Sequence, residues 1–205
     1  MPRLSRRSAL AAAALLLAAS SGAWAAPAPP PADMSLGRPT ARVQVVEYAS
    51  LTCPHCAHFN IEVFPAFKAK YVDTGKVRYT LREILTEPAQ VAAAGFLMAR
   101  CAGPKKYFTV VDQLFRSQAQ WTSDNLLPTF RKIAADNGLS DAQFDACLRD
   151  EAAAKALNER VQTSVRDGGI DGTPTFVING KKMPQGAMTL EQLDVAIAAA
   201  AKGGR

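Results

Sequence analysis

Two cysteines three residues apart, Cys53 and Cys56, enclose Pro54 and His55. The four follow a β-branched stretch and open a helical pattern. That spacing puts both sulfurs on one side of a first helical turn, close enough to bond. At a helix N-terminus Cys53 meets unpaired N–H groups and the positive end of the dipole, which favour a thiolate. A protonated His55 would add a second positive influence. Both effects lower the Cys53 pKa from the free value of ~8.5 toward the ~3.5–7.5 range of such sites. Each unit of depression stabilises the reduced form by about 1.4 kcal/mol. The gain is present above the unfolded pKa and disappears as pH falls through the folded one. A stabilised dithiol makes an oxidising disulfide.

Three other uses of the same residues stay open. The pair could be a static staple, though strained bridges of this span are uncommon in that role. It could bind zinc together with His58. His55 and His58 are the two histidines of the chain, and Cys101 and Cys147 lie far away in sequence, so a tetrahedral set is hard to assemble. It could be a Cys–His hydrolase, but both histidines sit on the turn that carries the cysteines, and no separate base exists.

The elements that must position this centre can be read around it. Arg42 to Tyr48 is β-branched and apolar, a strand signal. A helix runs from Cys53 to about Tyr71, with Pro54 at a first position where its missing N–H costs nothing. Pro65 should kink it or end its first half. Gly75 breaks the pattern, and Val77 to Ile84 reads as a second strand, giving a parallel βαβ unit. Residues 87 to 167 read as helices only: one opened by Pro88, one over Lys105 to Arg116, one from about Asn125 to Asn137, one capped by Ser140-Asp141-Ala142-Gln143, and one ending at Gly168-Gly169. Strand signals return at Thr175 to Ile178. Asn179-Gly180 is a hairpin turn, and Lys181 to Met183 starts the return strand. Thr189-Leu190-Glu191-Gln192 caps a last helix. The order βαβ, helices, ββα predicts one α/β domain split by an all-helical insertion.

The 205 residues suit one such domain. The net charge is +6, and Arg3, Arg6 and Arg7 hold part of it; removing the first 25 residues takes the basic count from 24 to 21 against 18 acidic ones, a net of +3. With no Lys/Arg run, that balance argues against nucleic acid as a partner. The basic start, the apolar run Ala9 to Ala19 and the small-x-small site Ala23-Trp24-Ala25 read as a signal peptide over residues 1–25, cleaved after Ala25. The run is shorter than the ~20 residues a membrane span needs, so no stable membrane insertion is expected. Ser5-Arg6-Arg7 resembles a twin-arginine signal, yet Ala9 replaces the larger apolar residue usual there, and Sec export fits equally well. Residues 26–39, with Ala26-Pro27-Ala28-Pro29-Pro30-Pro31, read as a Pro-rich linker, and the folded part is expected to begin near Thr40. Export to an oxidising compartment, the periplasm, would leave cysteines paired.

The segment Val45-Val46-Glu47-Tyr48-Ala49-Ser50-Leu51-Thr52-Cys53-Pro54-His55-Cys56 resembles the active-site segment of DsbA-type thiol–disulfide oxidoreductases, and Gly172-Thr173-Pro174-Thr175-Phe176 is similar to their cis-proline segment. The resemblance spans nearly all of residues 40 to 200. It implies a thioredoxin fold, residues 40–86 and 168–205, with residues 87–167 as the helical insertion. It also carries the family's trends of low thiol pKa and high potential. Cys53 becomes the attacking thiol, Cys56 the resolving one, and Thr173 with Pro174 the substrate-binding turn. Thr173 stands where the family's best-known member has Val, and Thr there also occurs in isomerase- and reductase-type relatives. Glu47, six residues before Cys53, takes the family's place for a buried acid. Alternation puts it with Val43 and Val45 on one face of a strand buried on both sides, where its raised pKa would let it exchange a proton with Cys56; an exposed Glu near a strand end is the alternative.

Three functions follow as expectations. The first is oxidation of cysteine pairs in exported proteins, with reoxidation by a membrane partner of the DsbB type. The second is an isomerase or reductase kept reduced by a different partner. The third is a non-catalytic chaperone on the same fold. A monomer is expected, with no metal and no organic cofactor. Some relatives resemble this sequence in carrying a second pair, so Cys101 and Cys147 are expected to form a structural disulfide within the insertion; two buried free thiols packing as small apolar residues are the alternative.

Overall fold

A computed structural model describes residues 33–166 and 168–203. The expected signal segment, residues 1–25, and the Pro-rich stretch through Pro31 lie outside them.

The sheet is built around β2 (Val43–Ala49) and β3 (Val77–Glu83), which run parallel with Val45 opposite Tyr79 and Glu47 opposite Leu81. A parallel pair needs a crossover. The chain supplies one helical rod made of α1 (Pro54–His58), a π-helical segment (Phe59–Val63), α2 (Phe64–Phe67) and a second π-helical segment (Lys68–Val72). Pro65 therefore does not end the helix. Its ring would meet the carbonyl four residues back in a regular α-helix. The backbone widens instead, so that the Phe64 N–H donates to the Phe59 carbonyl, and the rod continues.

β4 (Thr175–Ile178) pairs antiparallel with β2, and β5 (Lys181–Lys182) with β4. Asn179 and Gly180 both adopt positive φ, 46° and 82°, as a type I′ hairpin turn demands. One strand is absent from the sequence expectation. β1 (Met34–Leu36) pairs antiparallel with β3, so the sheet order is β1-β3-β2-β4-β5 and the fold begins inside the expected linker. Three residues are too few to show a period, and their place is set by backbone pairing to the edge of β3 plus the Ser35–Thr80 hydroxyl contact at 2.8 Å.

The helices α3 (Ala89–Cys101), α4 (Tyr107–Ser117), α5 (Leu126–Asp136), α6 (Asp141–Leu148) and α7 (Glu151–Arg166) fall between β3 and β4. The capping boxes stand where the sequence places them, Ser140 with Gln143 and Thr189 with Gln192. The latter opens α8 (Leu190–Gly203), which packs on β2, β4 and α2.

What ties the helical block to the sheet is a buried carboxylate at the end of β3. Glu83 accepts from Arg100 of α3 at 2.5 and 2.9 Å, from Arg160 of α7 at 2.9 Å and from the Tyr107 hydroxyl of α4 at 3.1 Å. A carboxylate taken out of water needs that many donors. Val43, Val45 and Glu47 are buried on one face of β2; the other face is half-buried at Gln44 and Val46 and closes only at Tyr48, against Ile84 and Ile170. The strand is thus buried on both sides at its C-terminal half alone, the half that leads to the cysteines. Among the described residues no helix is long and apolar enough to cross a membrane.

Candidate active site

The turn Ser50-Leu51-Thr52 carries the chain from β2 into α1, and its hydroxyls bind it to the loop after β3. Ser50 Oγ accepts from the Thr86 N–H at 3.1 Å, and the Thr52 hydroxyl donates to the Thr86 carbonyl at 2.8 Å. Gln118, just past α4, donates its side-chain amide to the carbonyls of Leu51 at 2.6 Å and Cys53 at 3.2 Å. The insertion therefore clamps the active-site turn directly. Gly95 of α3 permits the same closeness: a Cβ there would come within 2.6 Å of a Leu51 methyl.

Cys53 is the N-cap of α1. Its sulfur accepts from the Cys56 N–H at 3.4 Å and donates to the Thr173 carbonyl, also at 3.4 Å. The Thr173–Pro174 bond is cis. Cys53 keeps 5 % of its surface open and Cys56 none, and both carry free thiols in this structure.

These surroundings drive the two sulfurs apart. A hydrogen bond from the Cys56 thiol, against the opposing effect of burial and helped by the Thr173 side chain and the backbone N–H groups of Cys56 and His55, lowers the Cys53 pKa from 9.0 to about 5. Cys56 is pushed well above the ordinary value, by burial first and then by its bond to Cys53 and the nearby Glu47 and Cys53 charges. Glu47 is raised from 4.5 to about 8 by burial, with Tyr79 pulling down and the Cys53 charge pushing up. Titratable groups pushed apart in this way take separate acid and base roles. One is a thiolate at neutral pH, one a thiol, and the nearby Glu47 carboxyl has a pKa close enough to neutral to hold or release a proton.

His55 stands next to Cys53 in the first turn of α1. Its side chain is exposed, and its backbone N–H is among the groups that lower the Cys53 pKa. His55→Ser keeps that N–H. The expected result is a Cys53 pKa raised by no more than about one unit, since an exposed charge is screened. Titration of the thiolate ultraviolet absorbance measures it, and a rise of several units would return the control to the imidazole.

Of the residues singled out in the sequence, Cys53, Pro54, His55, Cys56, Glu47, Thr173 and Pro174 gather at the C-terminal end of β2. Cys101 and Cys147 do not; they are bonded to each other, joining the end of α3 to α6. Tyr79 and Gln118 are additions. Tyr79 donates to Glu47 Oε2 at 2.5 Å. A tyrosine in a strand reads as an ordinary β-former, and a glutamine at a helix end as a surface residue, so neither announces itself. Glu87–Pro88 is a second cis bond, invisible in sequence. Beside the Thr173–Pro174 turn, where the Gly186 N–H donates to the Pro174 carbonyl at 2.9 Å, lies an apolar groove of about 550 Å³ lined by Met183, Pro184, Met188 and Val195 among others. Among the described residues, no group of three or more His, Cys, Asp or Glu side chains is placed to hold a metal ion.

Residues 30–199 match the family model described as Thioredoxin. The chain belongs to the thioredoxin family. Within it the architecture is DsbA-like. The crystal structure of Wolbachia pipientis alpha-DsbA1 superposes with a TM-score of 0.78 at 29% identity, covering 86% of this chain and 94% of that one. A protein-disulfide isomerase from Novosphingobium aromaticivorans superposes at 0.72 with 28% identity, covering 83% and 98%. A Rickettsia bellii protein provisionally named a protein-disulfide oxidoreductase is 32% identical over 153 residues, 72% of this chain and 57% of that protein. The chain spans about half the length of the curated relatives it matches. Among the described residues, this thioredoxin-family member has one five-stranded sheet with the helical block between β3 and β4, an inserted helical block as the sequence leads one to expect and one edge strand, β1, beyond it.

Proposed function

We propose that this chain is a thiol–disulfide oxidoreductase that gives its Cys53–Cys56 disulfide to cysteine pairs of exported proteins. The observation that carries the reading is the opposed ionisation of two adjacent cysteines, one held down to about 5 and the other pushed up. A structural bridge gains nothing from it.

A substrate thiolate attacks the Cys53 sulfur, the Cys53–Cys56 bond breaks, and the electron pair leaves on Cys56, which takes a proton from Glu47. A second substrate thiolate attacks the substrate sulfur of the mixed disulfide, and Cys53 departs as a thiolate. Two electrons pass from the substrate dithiol to the enzyme. Cys53 is a good leaving group because its thiolate is stable. The Thr173 carbonyl beside its sulfur and the apolar groove beyond suit an extended peptide that adds backbone hydrogen bonds at the turn.

The lowered Cys53 pKa favours the dithiol form. At pH 7 the gain is on the order of 2 kcal/mol once solvent screening is allowed for, or roughly 40 mV of added oxidising strength. It is complete above the ordinary value of 9.0 and is lost as pH falls through about 5. The signal-like N-terminus supports the periplasm as the place of work, and the likeness to DsbA-type proteins supports a membrane protein of the DsbB type as reoxidant; the small net charge of the mature chain speaks against nucleic acid as a partner.

The test is to equilibrate the protein with glutathione and to offer it a reduced two-cysteine peptide and, separately, a scrambled disulfide substrate. The expected result is a potential more oxidising than the glutathione pool and fast oxidation of the peptide, with little unscrambling. A reducing potential together with efficient unscrambling would assign it to isomerisation. Holdase activity surviving loss of both Cys53 and Cys56, with no exchange in the intact protein, would make it a chaperone.

A further inference from the structure

The buried acid of this site has an unusual companion. Glu47 is 2 % exposed and Tyr79 1 %, and the Tyr79 hydroxyl donates to Glu47 Oε2 at 2.5 Å. The contact follows from the sheet. Val45 stands opposite Tyr79 and Glu47 opposite Leu81, so Tyr79 is the diagonal neighbour of Glu47 on the same face, within reach of a long side chain. The ring has no freedom to leave. Phe64 and Phe67 pack against it from α2 at centroid distances of 4.7 and 6.0 Å, and Phe108 from α4 at 6.0 Å. The titratable groups acting on the pair are Cys53 and Cys56 from α1 and Tyr107 from α4, all acids. β4 presents Phe176 opposite Glu47. The carboxyl is therefore tuned by a neutral hydroxyl where a cation would have held it ionised.

We propose that Tyr79 is a positioning residue for proton exchange between Glu47 and Cys56: by occupying Oε2 it fixes the carboxyl and leaves Oε1 to carry the exchangeable proton. The inference rests on the reading of Cys53 and Cys56 as an exchanging pair. A carboxyl has two oxygens and, when protonated, one hydrogen. A donor locked on one oxygen assigns that hydrogen to the other. In substrate oxidation, Oε1–H supplies the proton to Cys56 as its sulfur leaves. In enzyme reoxidation the carboxylate takes the proton back, and the Cys56 thiolate attacks the Cys53 sulfur of the mixed disulfide. A hydrogen bond to the charged form favours that form, so Tyr79 also keeps the carboxylate within reach of neutral pH, against burial.

An aromatic disulfide whose thiol product is coloured separates the two steps. The reduced enzyme releases a first equivalent when Cys53 attacks and a second when Cys56, having lost its proton to Glu47, displaces the remaining aromatic thiolate from Cys53. Tyr79→Phe keeps the ring in its aromatic cluster and removes only the donor. The expected result is that the pH midpoint of the second phase moves up by about one unit, and that at pH 7 this phase slows roughly tenfold. The first phase, whose midpoint belongs to Cys53, is the internal reference. Replacing Tyr79 by a fluorotyrosine, a stronger donor of nearly the same shape, is expected to move the second midpoint down. A second phase with unchanged midpoint and rate in Tyr79→Phe overturns the proposal; if that variant does not fold, an unmoved midpoint with fluorotyrosine does so. Failure of the underlying reading looks different: the intact protein would release no second equivalent, or Glu47→Gln would leave the second midpoint in place.

Discussion

Cys56→Ala is expected to accumulate mixed disulfides with substrate proteins, and Cys53→Ala to form none and to lose exchange entirely. The asymmetry follows from the two environments. With its pKa near 5, Cys53 is about 99% thiolate at pH 7, whereas Cys56, held well above the ordinary value by burial, stays a thiol. The reactive form is therefore concentrated on Cys53 before access is counted. Access acts in the same direction: Cys53 keeps an opening to solvent beside the Thr173 carbonyl, and Cys56 has no exposed surface. Once Cys53 has formed a mixed disulfide, the group that ordinarily frees it is either a second substrate thiolate or Cys56. Removing Cys56 leaves only the first route, so the intermediate lasts long enough to isolate by non-reducing electrophoresis of an extract after alkylation. Adducts found with Cys53→Ala and absent with Cys56→Ala would reverse the assignment.

How much of this was legible in the sequence depends on how local each cause is. The Cys53 to Cys56 spacing, the Asn179-Gly180 turn and the capping boxes at Ser140 and Thr189 are decided within a few residues, and the structure has the turn and the caps where they were expected. Elements decided by distant partners were not visible. β1 exists because β3 offers an edge, and Met34-Ser35-Leu36 carries no period of its own. The π-turn before Pro65 lets the rod continue over the sheet, an outcome that a rule about proline in isolated helices does not contain. Tyr79 matters because it lies diagonally across from Glu47, which requires the β2–β3 register. Gln118 matters because the helical insertion folds back over the turn at Leu51, 67 residues away in sequence. His55 shows the same limit in its backbone. The spacing places the residue beside Cys53 but not the direction of its side chain, which is exposed, nor the backbone N–H that helps to lower the Cys53 pKa.

Cys101→Ala with Cys147→Ala is expected to lower stability by about 4 kcal/mol while leaving the fold and the exchange reaction in place. The bond closes a loop between positions 46 apart, which contains α4, α5 and most of α6. Constraining a chain of that length in its unfolded state is worth about 4 kcal/mol on the entropic model, less any relief when the bond is removed. For a protein of this size that corresponds to a fall of roughly 8–16 °C in melting temperature. Two features limit the damage to energy rather than architecture. Arg100, the residue just before Cys101, still holds Glu83 together with Arg160 and Tyr107, so α3, α4 and α7 remain tied to β3. The Gln118 bonds to the active-site turn also remain. Mild reduction of the intact protein should accordingly expose two thiols, those of Cys53 and Cys56, and only denaturation in strong reductant should expose four. Calorimetry of the double variant against the oxidised protein measures the energy. Four thiols under mild reduction, or an unchanged melting temperature, would show that the bond carries no structural load. Loss of exchange in a double variant that still melts cooperatively would show instead that the insertion's disulfide reaches the reactive pair through α3.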